Sequence, residues 1–238
     1  MKNKIINWIR RQVKSSRAKG LVLGLSGGID SAAVLALAKQ AVGKGKVLAI
    51  YLPCHSHREH LDDARLVARK FGIKTKVIDL STVYDTLIKA LPKANKLALS
   101  NLKPRLRMLT LYYFANKFNY LVCGTGNKSE IMAGYFTKYG DGGVDILPIG
   151  DLLKSQVREL ARELKIPESV ITKPPTAGLW PGQTDEGEMG VTYRELDDIF
   201  WAMENKKKQI LPRDKVNKIK GMVECSEHKR RMPKICKV

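Results

Sequence analysis

Between Leu21 and Gln40 the sequence reads LVLGLSGGIDSAAVLALAKQ, with Ser26-Gly27-Gly28-Ile29-Asp30-Ser31 set between two apolar runs. The first run, Leu21 to Leu25, is short and branched enough for a buried strand. The second, Ala32 to Ala38, is unbroken and made of helix formers. Ser31 or Asp30 can cap that helix. The glycines therefore fall at a strand-to-helix turn, where free backbone N–H groups and a helix N-terminus make an anion site. The same residues also suit a plain tight turn, and Asp30 also suits a simple helix cap. No lysine follows the glycines as a Walker A loop requires, and Gly24, Gly27 and Gly28 lack the GxGxxG spacing.

The surrounding pattern supplies a scaffold. Residues 3–18 read as an amphipathic helix through Ile5, Ile6, Ile9 and Val13. Strands are expected at 21–25, 47–52, 73–80 and 120–124. Helices are expected at 31–42, at 58–72 with Gly72 closing it, at 81–91, at 100–118 with Ser100 or Asn101 as cap, and at 151–166. Thr192 and Glu195 form a capping box before a further helix. Strands alternating with helices imply a parallel sheet covered on both faces, with ligands at the carboxyl ends of its strands. The glycine turn and Gly124-Thr125-Gly126-Asn127-Lys128-Ser129-Glu130 both follow such ends.

Composition narrows the classes. The chain has 238 residues, 44% hydrophobic and 28% charged, enough for a sizeable core. No apolar run reaches about 18 residues, so no membrane span is expected. Cys54, Cys123, Cys225 and Cys236 stand far apart, which argues against a zinc site or a disulfide framework and for a reducing, cytoplasmic compartment. The net charge of +20 admits a nucleic-acid partner or a lysine-rich surface around an anionic substrate. The basic residues are spread along the chain, aromatics are 7%, and no nucleic-acid-binding signature is present, which disfavours nucleic acid.

SGGxDS after a first strand resembles the pyrophosphate loop of the ATP pyrophosphatases. NLKPRLRM (101–108), GTGNKSE (124–130), GYFTKYGDGGVDILPI (134–149), PPTAGLWPGQTDEGEMGVTY (174–193) and HKRRMP (228–233) are similar, in order and spacing, to the motifs of ammonia-dependent NAD synthetases. The resemblance implies one α/β domain over residues 1–238, with the ATP-pyrophosphatase (adenine nucleotide alpha hydrolase-like) fold. It implies a homodimer converting deamido-NAD, ATP and ammonia to NAD, AMP and pyrophosphate with magnesium. Carried over residue by residue, it places Gly24, Leu25, Ser26, Gly27, Gly28, Ile29, Ser31, Thr125, Lys154 and Thr176 at ATP. It places Asp30 and Glu130 at magnesium, and Arg105, Lys138, Asp145, His228 and Lys229 at deamido-NAD, with Arg107, Asp141 and Asp185 as weaker matches. Read without it, Glu130 is a solvated helix residue, GDGGVD a surface turn and the HKRR stretch a cationic tail. The segment YLPCHSHREHLDD departs from the Ser-rich stretch of the resembled enzymes and leaves His55, His57 and His60 without a role. Asn127-Lys128 stands where many ammonia-only enzymes carry Asp-His. Short flanks around these motifs lead to the expectation that glutamine alone does not supply the nitrogen.

Overall fold

The computed structural model describes residues 1–180, 182–208 and 211–237; Pro181, inside the PPTAG…GVTY motif, lies outside them. Four parallel strands, β1 (Gly20–Gly24), β2 (Val47–Tyr51), β3 (Thr75–Val77) and β4 (Tyr120–Val122), lie in the order β3-β2-β1-β4. The helices are α1 (Lys2–Ser15), α2 (Ile29–Val42), α3 (Arg58–Phe71), α4 (Ser81–Ala90), α5 (Lys96–Ser100), α6 (Leu102–Phe118), α7 (Lys128–Ala133), α8 (Lys154–Glu163), α9 (Glu168–Ile171), α10 (Asp185–Met189), α11 (Tyr193–Glu204) and α12 (Arg213–Cys225). This is the parallel α/β fold expected from the strand–helix alternation.

Period-two alternation in β1 feeds two cores. Leu21 and Leu23 join α1, α2, α3 and α8 on one face of the sheet, while Val22 joins β2 residue Ile50, α4 residue Tyr84 and α6 residue Ala115 on the other. Helix α2, apolar on all sides from Ala32 to Ala38, is wholly covered, as such a helix must be. A third cluster joins α7 to α10, α11 and α12 through Ala133, Tyr193, Phe200 and Ile219. Chain order runs outward from β1 to β3, then returns to pair β4 on the other side of β1. The loops after β1 and β4 therefore diverge at a topological switch point, where a crevice opens.

Several expected boundaries move. The first helix ends at Ser15, and the third strand shrinks to Thr75–Val77 at the exposed sheet edge. The helix expected over 151–166 occupies only Lys154–Glu163. The helix expected over 100–118 begins at Leu102, and a separate α5 precedes it, capped by Asn95, which accepts from Ala98 N at 2.9 Å. Asn101 instead accepts from Thr137 Oγ1 at 2.6 Å. Neither Ser31 nor Asp30 caps α2, whose N-cap is Gly28 with no side-chain bond. Ser31 Oγ donates to Gly28 O at 2.9 Å and so locks the turn rather than the helix end. The Thr192–Glu195 capping box forms as expected.

Candidate active site

Gly27 has φ +86°, a conformation glycine adopts without penalty, and a Cβ there would fall 2.5 Å from His60 O. Serine or alanine at that position would push α3 away from the loop. Behind the loop, Ser26 N donates to Ser31 Oγ at 3.3 Å, and Gly28 N donates to Ser26 Oγ at 3.3 Å. The turn is thus held by its own hydroxyls, and α2 starts from it with Asp30 in the first turn.

Asp30 faces Glu130 across the switch point, and Lys154 stands between them. Lys154 Nζ is 2.6 Å from Asp30 Oδ2 and 3.3 Å from Glu130 Oε1, with only 2% of its side chain exposed. Burial works against the ammonium charge, but the two carboxylates outweigh it and hold Lys154 protonated well above neutrality. Burial pushes Glu130 up to about 7, against the pull of Lys154 and with the push of Asp30. Two carboxylates sharing one cation position is the donor set of a hard cation held partly by protein and partly by phosphate. Tyr193, fully buried, bonds through its hydroxyl to Asp185 Oδ2 at 2.9 Å and Glu130 Oε1 at 3.2 Å. Asp185, whose Oδ1 is buried without a partner among the described residues, lines the same cavity.

The residues that hold this cluster were legible only in part. Asn127 donates through Nδ2 to Asp30 Oδ1 at 2.9 Å, accepts from Glu130 N at 3.0 Å, and donates its own N–H to Glu130 Oε2 at 3.2 Å. It is a capping box that also orients both carboxylates. The Asn-x-x-Glu spacing within GTGNKSE carried that signal. Asp197, on α11, accepts from Ser129 Oγ at 2.5 Å and from Ser155 N at 2.8 Å, fixing the start of α8 and hence Lys154. Arg230 donates to the carbonyls of Ile131 and Met132 at the end of α7, at 3.2 and 3.1 Å. Asp197 lies in no motif, and Arg230, although inside HKRRMP, shows no local sign of its target, because both act across long sequence separations.

A cavity of about 560 Å³ opens over these groups. Gly24, Leu25, Ser26, Gly27, Gly28, Ile29, Asp30 and Ser31 line one end, with Thr125, Glu130, Lys154 and Thr176 around it. Arg107, Asp141 and Lys229 form the opposite wall, where Arg107 Nε donates to Leu52 O at 3.0 Å and Lys229 Nζ to Gly134 O at 2.7 Å. Arg105, Lys138 and His228 gather outside this cavity: Arg105 Nη2 donates to Lys138 O at 3.4 Å, and Lys138 Nζ to His228 O at 2.5 Å. Asp145 stands apart from both groups, its carboxylate accepting from Val122 N at 2.7 Å and Tyr112 OH at 2.9 Å. His55 pairs with Asp85 at 2.8 Å, whereas His60 lines the main cavity.

A switch-point crevice floored by SGGIDS, with a lysine between carboxylates of two crossover loops, defines the ATP-pyrophosphatase fold. The chain belongs to the NAD synthase family, whose model matches residues 1–233. An NH3-dependent NAD+ synthetase of Carboxydothermus hydrogenoformans is 48% identical over 98% of this chain and 95% of its own. Among solved structures, an NMN synthetase from Francisella tularensis superposes with a TM-score of 0.91 at 36% identity, covering 100% of this chain and 97% of its own. An NH3-dependent NAD synthetase from Campylobacter jejuni superposes with a TM-score of 0.86 at 32% identity, covering 99% and 97%.

Proposed function

We propose that this protein is a ligase that converts deamido-NAD, ATP and ammonia to NAD, AMP and pyrophosphate. The observation that carries the reading is the Asp30–Lys154–Glu130 cluster beside the glycine loop, in a chain 48% identical to an NH3-dependent NAD+ synthetase. A carboxylate resists ammonia because its carbon is electron-rich and oxide is a poor leaving group. In the first step the substrate carboxylate oxygen attacks the α-phosphorus; that P–O bond forms as the α–β bond breaks and pyrophosphate departs. In the second step ammonia adds to the acyl carbon, AMP leaves with the C–O electron pair, and the surplus proton passes to solvent.

The protein's part is positioning and charge. The glycine N–H groups and the start of α2 receive phosphate oxygens. Lys154, kept charged by its neighbours and bonded to Asp30 beside the glycine loop, suits the negative charge that develops on a departing pyrophosphate. Thr125 and Thr176, which line the cavity with the loop, fit ATP contacts; Arg105, Lys138, His228 and Lys229 fit the deamido-NAD side, to which Asp145 is assigned by the resemblance alone. Asp30 and Glu130 would hold magnesium, which neutralises phosphate charge when bound and so permits two carboxylates beside a polyanion.

Helix α6 supports a homodimer. Leu106 and Leu111 pack inward while Leu109 and Tyr113 stay 63% and 58% exposed, so the helix is apolar on both sides. Four free thiols fit a reducing cytoplasm, and no described helix is long and apolar enough to cross a membrane.

The deciding assay is AMP release from ATP with deamido-NAD and ammonium, each reactant omitted in turn, with glutamine replacing ammonium in one arm. We expect AMP only when all three are present, and little with glutamine. The Francisella likeness favours a second reading, amidation of the mononucleotide acid to NMN. Equal or faster turnover with that acid would assign the protein to NMN synthesis.

A further inference from the structure

The motif YLPCHSHREHLDD places three histidines near the start of α3 without a role in the reaction above. The structure separates them. His55 is committed to Asp85, and His57 is exposed at the N-cap of α3. His60 alone enters the cavity wall. Its backbone carbonyl sits against Gly27 of the glycine loop, so close that a Cβ on Gly27 would lie 2.5 Å from it. Its ring faces the loop that carries Thr176: a Cβ on Gly178 would lie 3.5 Å from His60 Nε2. That is ordinary van der Waals distance, so the ring lies against the loop at Gly178, whose φ of +59° suits glycine. His60 is thus wedged between two loops that border the space above the phosphate-binding turn.

We propose that His60 contacts the phosphate chain of ATP and takes up a proton from solvent as that chain binds. The inference rests on the ATP reading of this cavity. An imidazole half-buried beside a site for a polyanion is worth most when it arrives neutral and leaves charged, because the charge then appears only with the ligand. The groups facing His60 favour that order. Burial lowers its pKa, and Lys173, on the loop, lowers it further, as does His57; Asp63 and Glu59, on α3, oppose weakly. Lys173 is itself paired with Asp63 at 2.5 Å, so its charge is largely spoken for. The glycine turn contributes one titratable group, Asp30, already bonded to Lys154 and Asn127. A triphosphate entering beside His60 reverses the balance, and the imidazolium becomes the favoured form.

Calorimetric titration of magnesium-ATP near pH 7, without deamido-NAD or ammonium, tests this. Repeating it in two buffers of different ionisation enthalpy counts the protons exchanged. We expect wild type to take up more than His60→Gln, by up to about one proton per ATP. His60→Gln should also bind ATP roughly three- to tenfold more weakly below pH 7, a gap that closes as pH rises. His55→Gln, at a ring paired with Asp85 away from the cavity, should match wild type in both respects. Melting curves of all three proteins show whether the fold is kept, and Asn in place of Gln provides a second variant if Gln is unstable. Equal proton counts in wild type and His60→Gln, with ATP bound by both, overturn the proposal and leave the ATP reading standing. Failure of wild type to bind ATP overturns both.

Discussion

A carboxylate beside a phosphate-binding turn is repulsive unless a cation lies between, and Asp30 already has one in Lys154. Its role is therefore electrostatic; it makes no cap bond to α2. Asp30→Asn keeps the shape but removes the charge, and we expect AMP formation to fall on the order of a hundredfold or more, as losing several kcal/mol of charge stabilisation implies. Stability should fall less, by about 2 kcal/mol, because Lys154 retains Glu130. Turnover against magnesium concentration, beside denaturant unfolding, separates the two. Normal turnover with unchanged magnesium dependence would remove Asp30 from the chemistry. At this scale the sequence brings together what the structure does: SGGIDS, Thr125, Glu130 and Thr176 stand in the quoted motifs, Lys154 comes from the resemblance alone, and all line one cavity. Asn127 stands in a motif with a capping-box spacing, but its bond to Asp30 was not legible, because that partner lies 97 positions away.

Short helices hold the site, and each is fixed at its ends. Helix α7 has six residues, too few to persist alone. The Asn127–Glu130 box closes its start, and Arg230 takes carbonyls at its finish. Asn127→Ala should cost about 1 kcal/mol as a lost cap, and should lower turnover at least about tenfold because Glu130 and Asp30 lose their common anchor. A thermal melt with steady-state kinetics reads both; a stability loss with full activity would reduce Asn127 to a cap. Helix α4 offers a pH test. Asp79 Oδ1 accepts from Ser81 N at 2.8 Å, and hydrogen bonds from Ser81 hold its pKa below the usual carboxylate value. A depressed carboxylate stabilises above its unfolded pKa, near 3.9, and the benefit fades as pH falls through the folded value. Asp79→Ala should therefore melt lower than wild type at pH 7, and the gap should narrow as pH drops below about 4. Periodicity located most elements, but it gave neither the short extent of β3 nor the separate α5, and at the α5–α6 junction Asn101 keeps helical backbone while its side chain accepts from Thr137.

Across the whole molecule, the net charge of +20 makes self-association a matter of apolar contact rather than general attraction. On the homodimer reading, that contact would come from the outward stripe of α6, where Leu109 and Tyr113 are exposed. Light scattering at micromolar concentration should give twice the chain mass, and Leu109→Asp with Tyr113→Asp should give the monomer with its melting curve largely retained. Monomeric wild type would show that the stripe has another use. Fold class was legible here because strand–helix alternation leaves few topologies. The order β3-β2-β1-β4 was not, since nothing local in β4 says which side of β1 it will join.

That order also sets a timetable. The glycine loop is complete once β1 and α2 exist, yet its partners arrive only with β4, α7 and α8, about half the chain later. Long-range pairings of this kind close late, after local helices have formed. A refolding protein should regain its helical signal well before it can bind nucleotide, and a chain halted short of Tyr120 should have the turn but no grip on ATP. Stopped-flow circular dichroism run beside a fluorescent ATP analogue would resolve the two events; simultaneous recovery would mean that β4 docks as early as its neighbours.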